Sequence, residues 1–344
     1  RKEQAAARQA GRIMGIGVGP SVEICGLGPS QVAAAVGFQG GLWESAIVRV
    51  HPTGKVNVFI GASPHGQGEE TTFAQLVAAE IGVAVDDVKV VHGDTETTPM
   101  GWGTYGSRTT AVGGAALILA TRKVKDKAKL IAAHLLEAAV EDMDYEDGRF
   151  FVKGSPDKAK TIQDIALMAN LSWNMPAGME GGLEASMFYD PPNFTYPFGA
   201  HLAVVEVDKA TGEVVLKRYV AIDDCGPQIN PVIVEGQVHG GVVQGIGQAL
   251  WEEAVYDANG QLLTGSMLDY ALPRADRLPN IEVLNTVTPS PHHPLGLKGI
   301  GEAGTIASTV TVYNAMMDAL APFGVDTMRM PFTPERVWRA LNRS

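Results

Sequence analysis

Two stretches of the chain, 44–82 and 199–250, carry the same features in the same order. A repeat of this kind limits the fold to paired units of one supersecondary type. ESAIVRVHPTGKVNVFIG, from Glu44, and GAHLAVVEVDKATGEVVLKRYVAIDD, from Gly199, each alternate apolar and polar residues, turn at a Thr-Gly pair (Thr53-Gly54, Thr211-Gly212) and alternate again. Period-two alternation on both sides of a glycine turn predicts a β-hairpin. Each hairpin then enters a glycine-rich loop with a glutamine, Gln67 or Gln237, at the mouth of a helix. The units differ in loop length and share little identity, so the likeness is one of pattern. The expectation is an α+β fold of two related lobes, 1–190 and 191–344, each with a β-hairpin followed by a Gly-rich loop and a helix.

Other segments fill in around the repeat. Phe73, Leu76, Val77 and Ile81 share one helical face, and Gly82 is placed to cap it. A strand is predicted over Val88–Val91. The turn-rich GDTETTPMGWGTYGSRTTAVGGAA leads into a helix over Ala115–Glu141 with Leu117, Val124, Ile131 and Leu135 inward. Segment 178–197, with Gly181-Gly182 and Pro191-Pro192, reads as an inter-lobe crossing. A strand over 281–287, a helix over 305–321 and a closing helix with Thr333 as N-cap and Pro334 at its first position complete the prediction.

Charge and cysteine usage exclude several functions. With 27 basic against 38 acidic residues the net charge is −11, and binding to a phosphate backbone needs a basic surface, so nucleic acid is not an expected partner. The two cysteines, Cys25 and Cys225, cannot supply an iron–sulfur cluster, a Cys-rich zinc site or a disulfide scaffold, and no protein-ligated metal site is expected. A reducing compartment, the cytoplasm, fits this usage. No apolar stretch approaches the ~18 residues of a membrane span. The chain opens on RKEQAAARQAGR, without Met, which reads as the interior of a longer protein.

Three glycine-rich segments precede helices: Gly66-Gln67-Gly68, Gly236-Gln237 and Gly299 to Gly304. A helix N-terminus offers unpaired N–H groups to an anion, and glycine lets a ligand approach the backbone. One such loop is more often a tight turn than a site. Three of one type, two with a glutamine in the same place, favour a large ligand whose edge both donates and accepts hydrogen bonds. Gly299-Ile300-Gly301-Glu302-Ala303-Gly304 matches G-x-G-x-x-G, but SPHHPLGLK before it is broken by proline and no parallel strand is evident behind it. A dinucleotide fingerprint needs both. Glu302, on that loop, is the carboxylate placed to act as a general base; the same position also suits an acid that simply complements a helix dipole. Ser107-Arg108-Thr109-Thr110 offers hydroxyls and a guanidinium suited to a phosphate, or a solvated turn. His292-His293 point to opposite sides of an extended segment, and Asp223-Asp224-Cys225 reads as a loop tie.

GQGEETT from Gly66, TYGSRTT from Thr104, PPNFTYPFGA from Pro191, DDCGPQINPVIVEGQVHGG from Asp223, TPSPHHPLG from Thr288 and KGIGEAGT from Lys298 together resemble the large subunit of xanthine oxidase family molybdenum hydroxylases. The likeness is strongest to aerobic carbon monoxide dehydrogenase homologues, covers the whole chain in order, and corresponds to the C-terminal part of such a subunit. It implies half of a molybdopterin-binding module, with the cofactor in its cytosine dinucleotide form. Gln67 and Gln237 then match glutamines that bond the pterin and its extension, and Gly66, Gly68, Gly106, Ser107, Arg108 and Thr109 match loops around the pyrophosphate and nucleotide. Lys298, Gly299, Ile300 and Gly301, on the loop that carries the glutamate, are by the same resemblance expected to bind the cofactor. Glu302 matches the active-site base of a hydroxylation that takes its oxygen from water and passes electrons through [2Fe-2S] clusters to FAD. Those groups would sit on an iron–sulfur subunit and an FAD subunit, joined with the N-terminal half in a dimer of heteromers. CO-oxidising members follow the glutamate with a Ser-Pro-His type sequence, where this chain has Ala303-Gly304-Thr305, and neither Cys25 nor Cys225 matches their copper-binding cysteine. The expected substrate is therefore an aldehyde or N-heteroaromatic carbon at least as readily as CO. A nucleotide-binding module without a redox role and a cofactor-free structural subunit are the alternatives.

Overall fold

The computed structural model describes residues 1–342. The chain begins with α1 (Lys2–Gln9), β1 (Ile13–Val22) and α2 (Ser30–Ala35). The first predicted hairpin forms as β2 (Glu44–Val50) and β3 (Val56–Ile60), antiparallel with Val50 opposite Val56. From β3, α3 (Glu69–Ile81) carries the chain over to β4 (Val88–Val91), parallel to β3. Phe73, Val77 and Ile81 are buried, and Gly82 ends the helix in the left-handed region at φ 72°, where other residues are strained. Thr109–Gly114 then wind as a single π-helical turn into α4 (Ala115–Leu135).

Past Leu135 the structure departs from expectation. Helix α4 stops short of Glu141 because the backbone takes a left-handed step at Glu137, φ 50°. It then turns into a small antiparallel sheet of β5 (Met143–Glu146), β6 (Arg149–Val152) and β7 (Ser155–Thr161), followed by α5 (Ile162–Leu171). Helix-forming residues after Leu135 concealed the break. Segment 178–197 is more than a crossing: it contains β8 (Leu183–Tyr189), antiparallel to β2.

The second hairpin is β9 (Phe198–Val207) and β10 (Val214–Asp224), with Val207 opposite Val214. Helix α6 (Pro231–Leu250) crosses to β11 (Ile281–Asn285), parallel to β10, and α7 (Ala303–Leu320) and α8 (Pro334–Leu341) follow. Thr333 caps α8 as predicted, its side chain accepting from Arg336 N–H.

The sheet orders are β4-β3-β2-β8 and, read from the matching edge, β11-β10-β9-β1. The repeat is therefore deeper than hairpin, loop and helix. Each sheet adds a parallel strand on one side, reached through a helix, and an antiparallel strand on the other. In the second sheet that last strand is β1, so residues 13–22 leave the 1–190 lobe in which the sequence placed them and pair with β9 from Ile13↔Val207 to Val22↔Phe198. The reason is steric. Gly15, Gly17 and Gly19 alternate along the β1 face that meets α7, and a Cβ on Gly17 would lie 2.1 Å from Thr311 O and 2.3 Å from Ala315 N. Two hydrophobic cores result, one of α3 and α4 against the first sheet and one of α6 and α7 against the second.

Gly17→Ala forces β1 off α7, and such overpacking costs about 1–3 kcal/mol, read as a lower urea midpoint. Gly236→Ala, whose Cβ would meet nothing within 4 Å, is the control. It is expected to be neutral or stabilising by up to about 1 kcal/mol through helix propensity.

Candidate active site

The two halves of the repeat meet around a cleft of about 590 Å³. Its walls are the loop after β3, the loop and π turn before α4, the segment that starts α6 and the loop before α7. Glu302, Gly66, Gln67, Gly106, Ser107, Thr109, Gln237, Lys298, Gly299, Ile300 and Gly301 all line it. Gly68 does not: it caps α3 at φ 90° with its Cα pressed on Ile233, and so backs the wall.

Two expectations need correction. Gln237 is not in a loop at a helix mouth. Helix α6 starts earlier, at Pro231, with the Asn230 side chain accepting from Ile233 N–H at 3.2 Å. Gln237 therefore projects from within the helix, whereas Gln67 precedes α3. Asn230-Pro231, an N-cap before a first-turn proline, is a legible start signal, and glycines 236 and 240 masked it. Arg108 does not face an anion. It is fully buried against fully buried Glu44, with Nη1 donating to Glu44 Oε2 at 2.8 Å and Gly103 O at 2.7 Å, and Nη2 to Leu42 O at 2.9 Å and Trp43 O at 3.0 Å. Burial pushes the Glu44 carboxyl up, opposed by the Arg108 bond and charge. A guanidinium whose two terminal nitrogens are committed to an internal carboxylate and three carbonyls, with Nε left unpartnered among the described residues, ties loops together and does not line the cleft.

The Lys298 ammonium is likewise committed, to Asp224 Oδ1 at 2.9 Å, beneath the Phe198 ring at 4.7 Å. Burial disfavours an ionised Asp224. Bonds from Lys298, Gly226 N–H and the 286–288 segment outweigh it and hold the carboxyl down at about 2. This pair anchors the start of the loop that carries Glu302.

The rest of that loop is fixed by close contact. A Cβ on Gly299 would sit 2.0 Å from Ser107 O and 2.4 Å from Cys25 Sγ, so only glycine fits there. Gly299 N–H donates to Cys25 Sγ at 3.2 Å, and the thiol donates to Ser107 O at 2.8 Å. Ser107 itself is left-handed, φ 50°. Its Oγ accepts from Glu302 N–H at 3.1 Å and its proton is donated to Glu302 Oε2 at 3.1 Å. Glu302 is the N-cap of α7 and stands exposed in the cleft. Glu302 is thus at once a cleft carboxylate and the residue that opens α7. Burial pushes the Cys25 thiol up to about 12 and Cys225 up to about 11, so both are neutral packing groups.

Sequence reasoning missed Glu69, in the first turn of α3. It is buried in the cleft wall, its carboxyl is raised by burial, and Oε2 lacks a partner among the described residues. It also missed Glu23, a second buried carboxyl, beside Ser107. Glu69 lies inside GQGEETT and Glu23 in no motif, but only the fold reveals the burial of either carboxyl.

The cleft offers backbone and side-chain amides to a ligand at the Gly66-Gln67 corner. Gly66, at φ 110°, has nothing within 4 Å of where a Cβ would be, so backbone borders open space there. Gln67 Oε1 accepts from His65 N–H at 2.7 Å, which leaves its amide N–H₂ to donate.

The chain belongs to the molybdopterin cofactor-binding domain family, whose model matches residues 1–279, and it corresponds to the C-terminal part of a xanthine oxidase family molybdenum subunit. It is 48% identical over 344 residues to the carbon monoxide dehydrogenase large chain of Hydrogenophaga pseudoflava, covering 99% of this chain and 42% of that one. Among solved structures it superposes on reconstituted CO dehydrogenase from Oligotropha carboxidovorans with TM-score 0.92 at 44% identity, covering 98% of this chain and 42% of that one. Quinoline 2-oxidoreductase from Pseudomonas putida 86 gives TM-score 0.92 at 40% identity, covering 99% and 43%. The chain thus spans about two fifths of the length of the relatives it matches.

Two substitutions test the supports of the site. Arg108→Ala leaves Glu44 buried and unpaired and is expected to cost about 3–5 kcal/mol, measured by denaturant unfolding. Asp224 contributes stability that is complete above its unfolded pKa near 4 and lost as pH falls through its folded value of about 2. That contribution is about 2–3 kcal/mol. Asp224→Asn should therefore lower stability at neutral pH and flatten its decline between those two values.

Proposed function

We propose that this chain is the cofactor-holding part of a molybdenum-dependent hydroxylase subunit. The observation that carries this reading is the fixing of Glu302 at the mouth of a glycine-bordered cleft, by Ser107 through two bonds of 3.1 Å. The bound group is molybdenum–molybdopterin in its cytosine dinucleotide form, and it supplies the two-electron oxidation of the substrate carbon, with oxygen taken from water. Gln67 and Gln237 present amides to the pterin and its extension. Backbone at Gly66 and 106–109 receives the phosphates without a buried cation. Glu302 accepts the proton released as the new C–O bond forms, and Ser107 keeps its carboxylate aimed. Such a positioned base contributes about 10²–10⁴ in rate.

The substrate is a small molecule, an aldehyde or N-heteroaromatic carbon at least as readily as CO. This accords with the likeness to quinoline 2-oxidoreductase and with Ala303-Gly304-Thr305 after the glutamate. A Cβ on Gly304 would come 2.7 Å from Val238 O, so the α6–α7 contact favours glycine at that one position. Electrons leave to [2Fe-2S] and FAD subunits in a cytoplasmic heteromeric complex. Among the described residues no helix is long and apolar enough to cross a membrane.

Glu302→Gln should retain the cofactor and lower turnover by about 10²–10⁴, checked by steady-state assay beside molybdenum and pterin analysis of the purified complex. Full turnover in the variant removes Glu302 from this role. A complex free of molybdenum and pterin overturns the reading in favour of a nucleotide-binding or structural subunit.

A further inference from the structure

The loop that carries Glu302 has little stiffness of its own. Gly299 and Gly301 loosen its backbone, and a Cβ on Gly301 would meet nothing closer than 3.9 Å. The aim of the carboxylate therefore comes from bonds to other segments. At one end the Lys298 side chain is tied to Asp224, and its N–H donates to Cys225 O at 3.0 Å. At the other end Ser107 holds Glu302. Between them stands the fully buried thiol of Cys25. It accepts from Gly299 N–H at 3.2 Å and donates to Ser107 O at 2.8 Å, so it bonds both loops at once. Cys25 is itself clamped, its N–H donating to Thr195 O and its O accepting from Thr195 N–H, both at 3.0 Å. The bond to Ser107 matters for a second reason. Ser107 sits in the left-handed region at φ 50°, a conformation that a residue with a side chain keeps only where its surroundings hold it. A donor on the Ser107 carbonyl supports that conformation, and from it Oγ reaches Glu302.

We propose that Cys25 is a positioning residue for Glu302, acting through Gly299 and Ser107 to keep the carboxylate at its place in the cleft. Its proton is a lasting donor, since burial pushes the thiol up to about 12. Without the thiol, Gly299 N–H and Ser107 O lose a partner together, and unmade bonds of buried groups are costly. The segment itself stays in place, because Gly26 N–H still donates to Gly106 O at 3.4 Å. The effect on turnover rests on reading Glu302 as the base, whereas the effect on the loop does not.

Amide hydrogen exchange of the purified complex reads the loop without turnover. In Cys25→Ala the peptide containing 299–302 should exchange about 2–10-fold faster, the worth of one hydrogen bond. The same variant should keep its molybdenum, its pterin and its KM, and lose about 10–10²-fold in kcat, as a displaced reacting group does. Cys25→Ser, whose hydroxyl donates and accepts in the same place, should recover most of both losses. The infrared difference between wild type and Cys25→Ser should show an S–H stretch lowered in frequency by donation to a carbonyl. The proposal is overturned by unchanged exchange in Cys25→Ala, by a kcat that is unchanged while Glu302→Gln is impaired or that falls only in step with molybdenum content, by no rescue in Cys25→Ser, or by an S–H stretch at the free-thiol frequency. If Cys25→Ala does not fold, the S–H stretch decides it. Faster exchange in Cys25→Ala together with full turnover in Glu302→Gln would keep the positioning and discard the base assignment.

Discussion

The cleft exists because two loops from different halves of the molecule approach within backbone contact. Gly299 and Ser107 meet so closely that a single methyl group at 299 would fall 2.0 Å from the Ser107 carbonyl oxygen. Ser107 takes a left-handed conformation, φ 50°, and from it reaches both the N–H and the carboxylate of Glu302. Cys25 closes the knot by accepting from Gly299 and donating to Ser107. Three segments distant in sequence are thus fixed against one another, and the Glu302 carboxylate, three residues from the contact, inherits their rigidity. Positioning is a prerequisite for general-base work before any tuning of acidity.

Charge placement follows from the same economy. The cations nearest the cleft, Arg108 and Lys298, are turned inward onto Glu44 and Asp224. Such pairs are costly to bury and more costly to break, so they lock loop geometry at the expense of ligand charge. What remains for an anion is backbone N–H, hydroxyl and side-chain amide. A site built this way recognises shape and hydrogen-bond pattern more than charge. Glu69 in the wall is raised by burial rather than paired with a cation, and burial raises Glu23 as well.

Much of this was legible in the sequence, and the failures share a cause. Both hairpins, the α3 face ending at Gly82, the α8 cap and Glu302 on its loop follow from alternation, periodicity and turn chemistry, which are local signals. Arg108 reads as a phosphate ligand because its partner Glu44 lies 64 residues away, and no spacing rule reports a tertiary ion pair. Gln237 reads as a loop residue because glycines at 236 and 240 suggest a turn, yet both sit inside α6 with open space where a Cβ would be. Strand β8 hides between Gly-Gly and Pro-Pro pairs, and its place is set by the free edge of β2. Glu23 carries no motif, and only the pairing of β1 with β9 delivers it to Ser107.

That pairing also shapes how the chain can be made. Ile13 pairs with Val207, so β1 leaves the ribosome long before its neighbour exists. At roughly 5–20 residues per second, it waits on the order of 10–40 s as an unpaired strand notched by glycines. High contact order slows folding and prolongs exposure of such edges. The first sheet can close while this happens, because β2, β3, β4 and β8 all precede Phe198. The second half must then recover a strand synthesised before the first half began. The cleft, whose walls run from His65 to Glu302, can accordingly close only after that last loop has been made, so any cofactor must wait for the whole repeat.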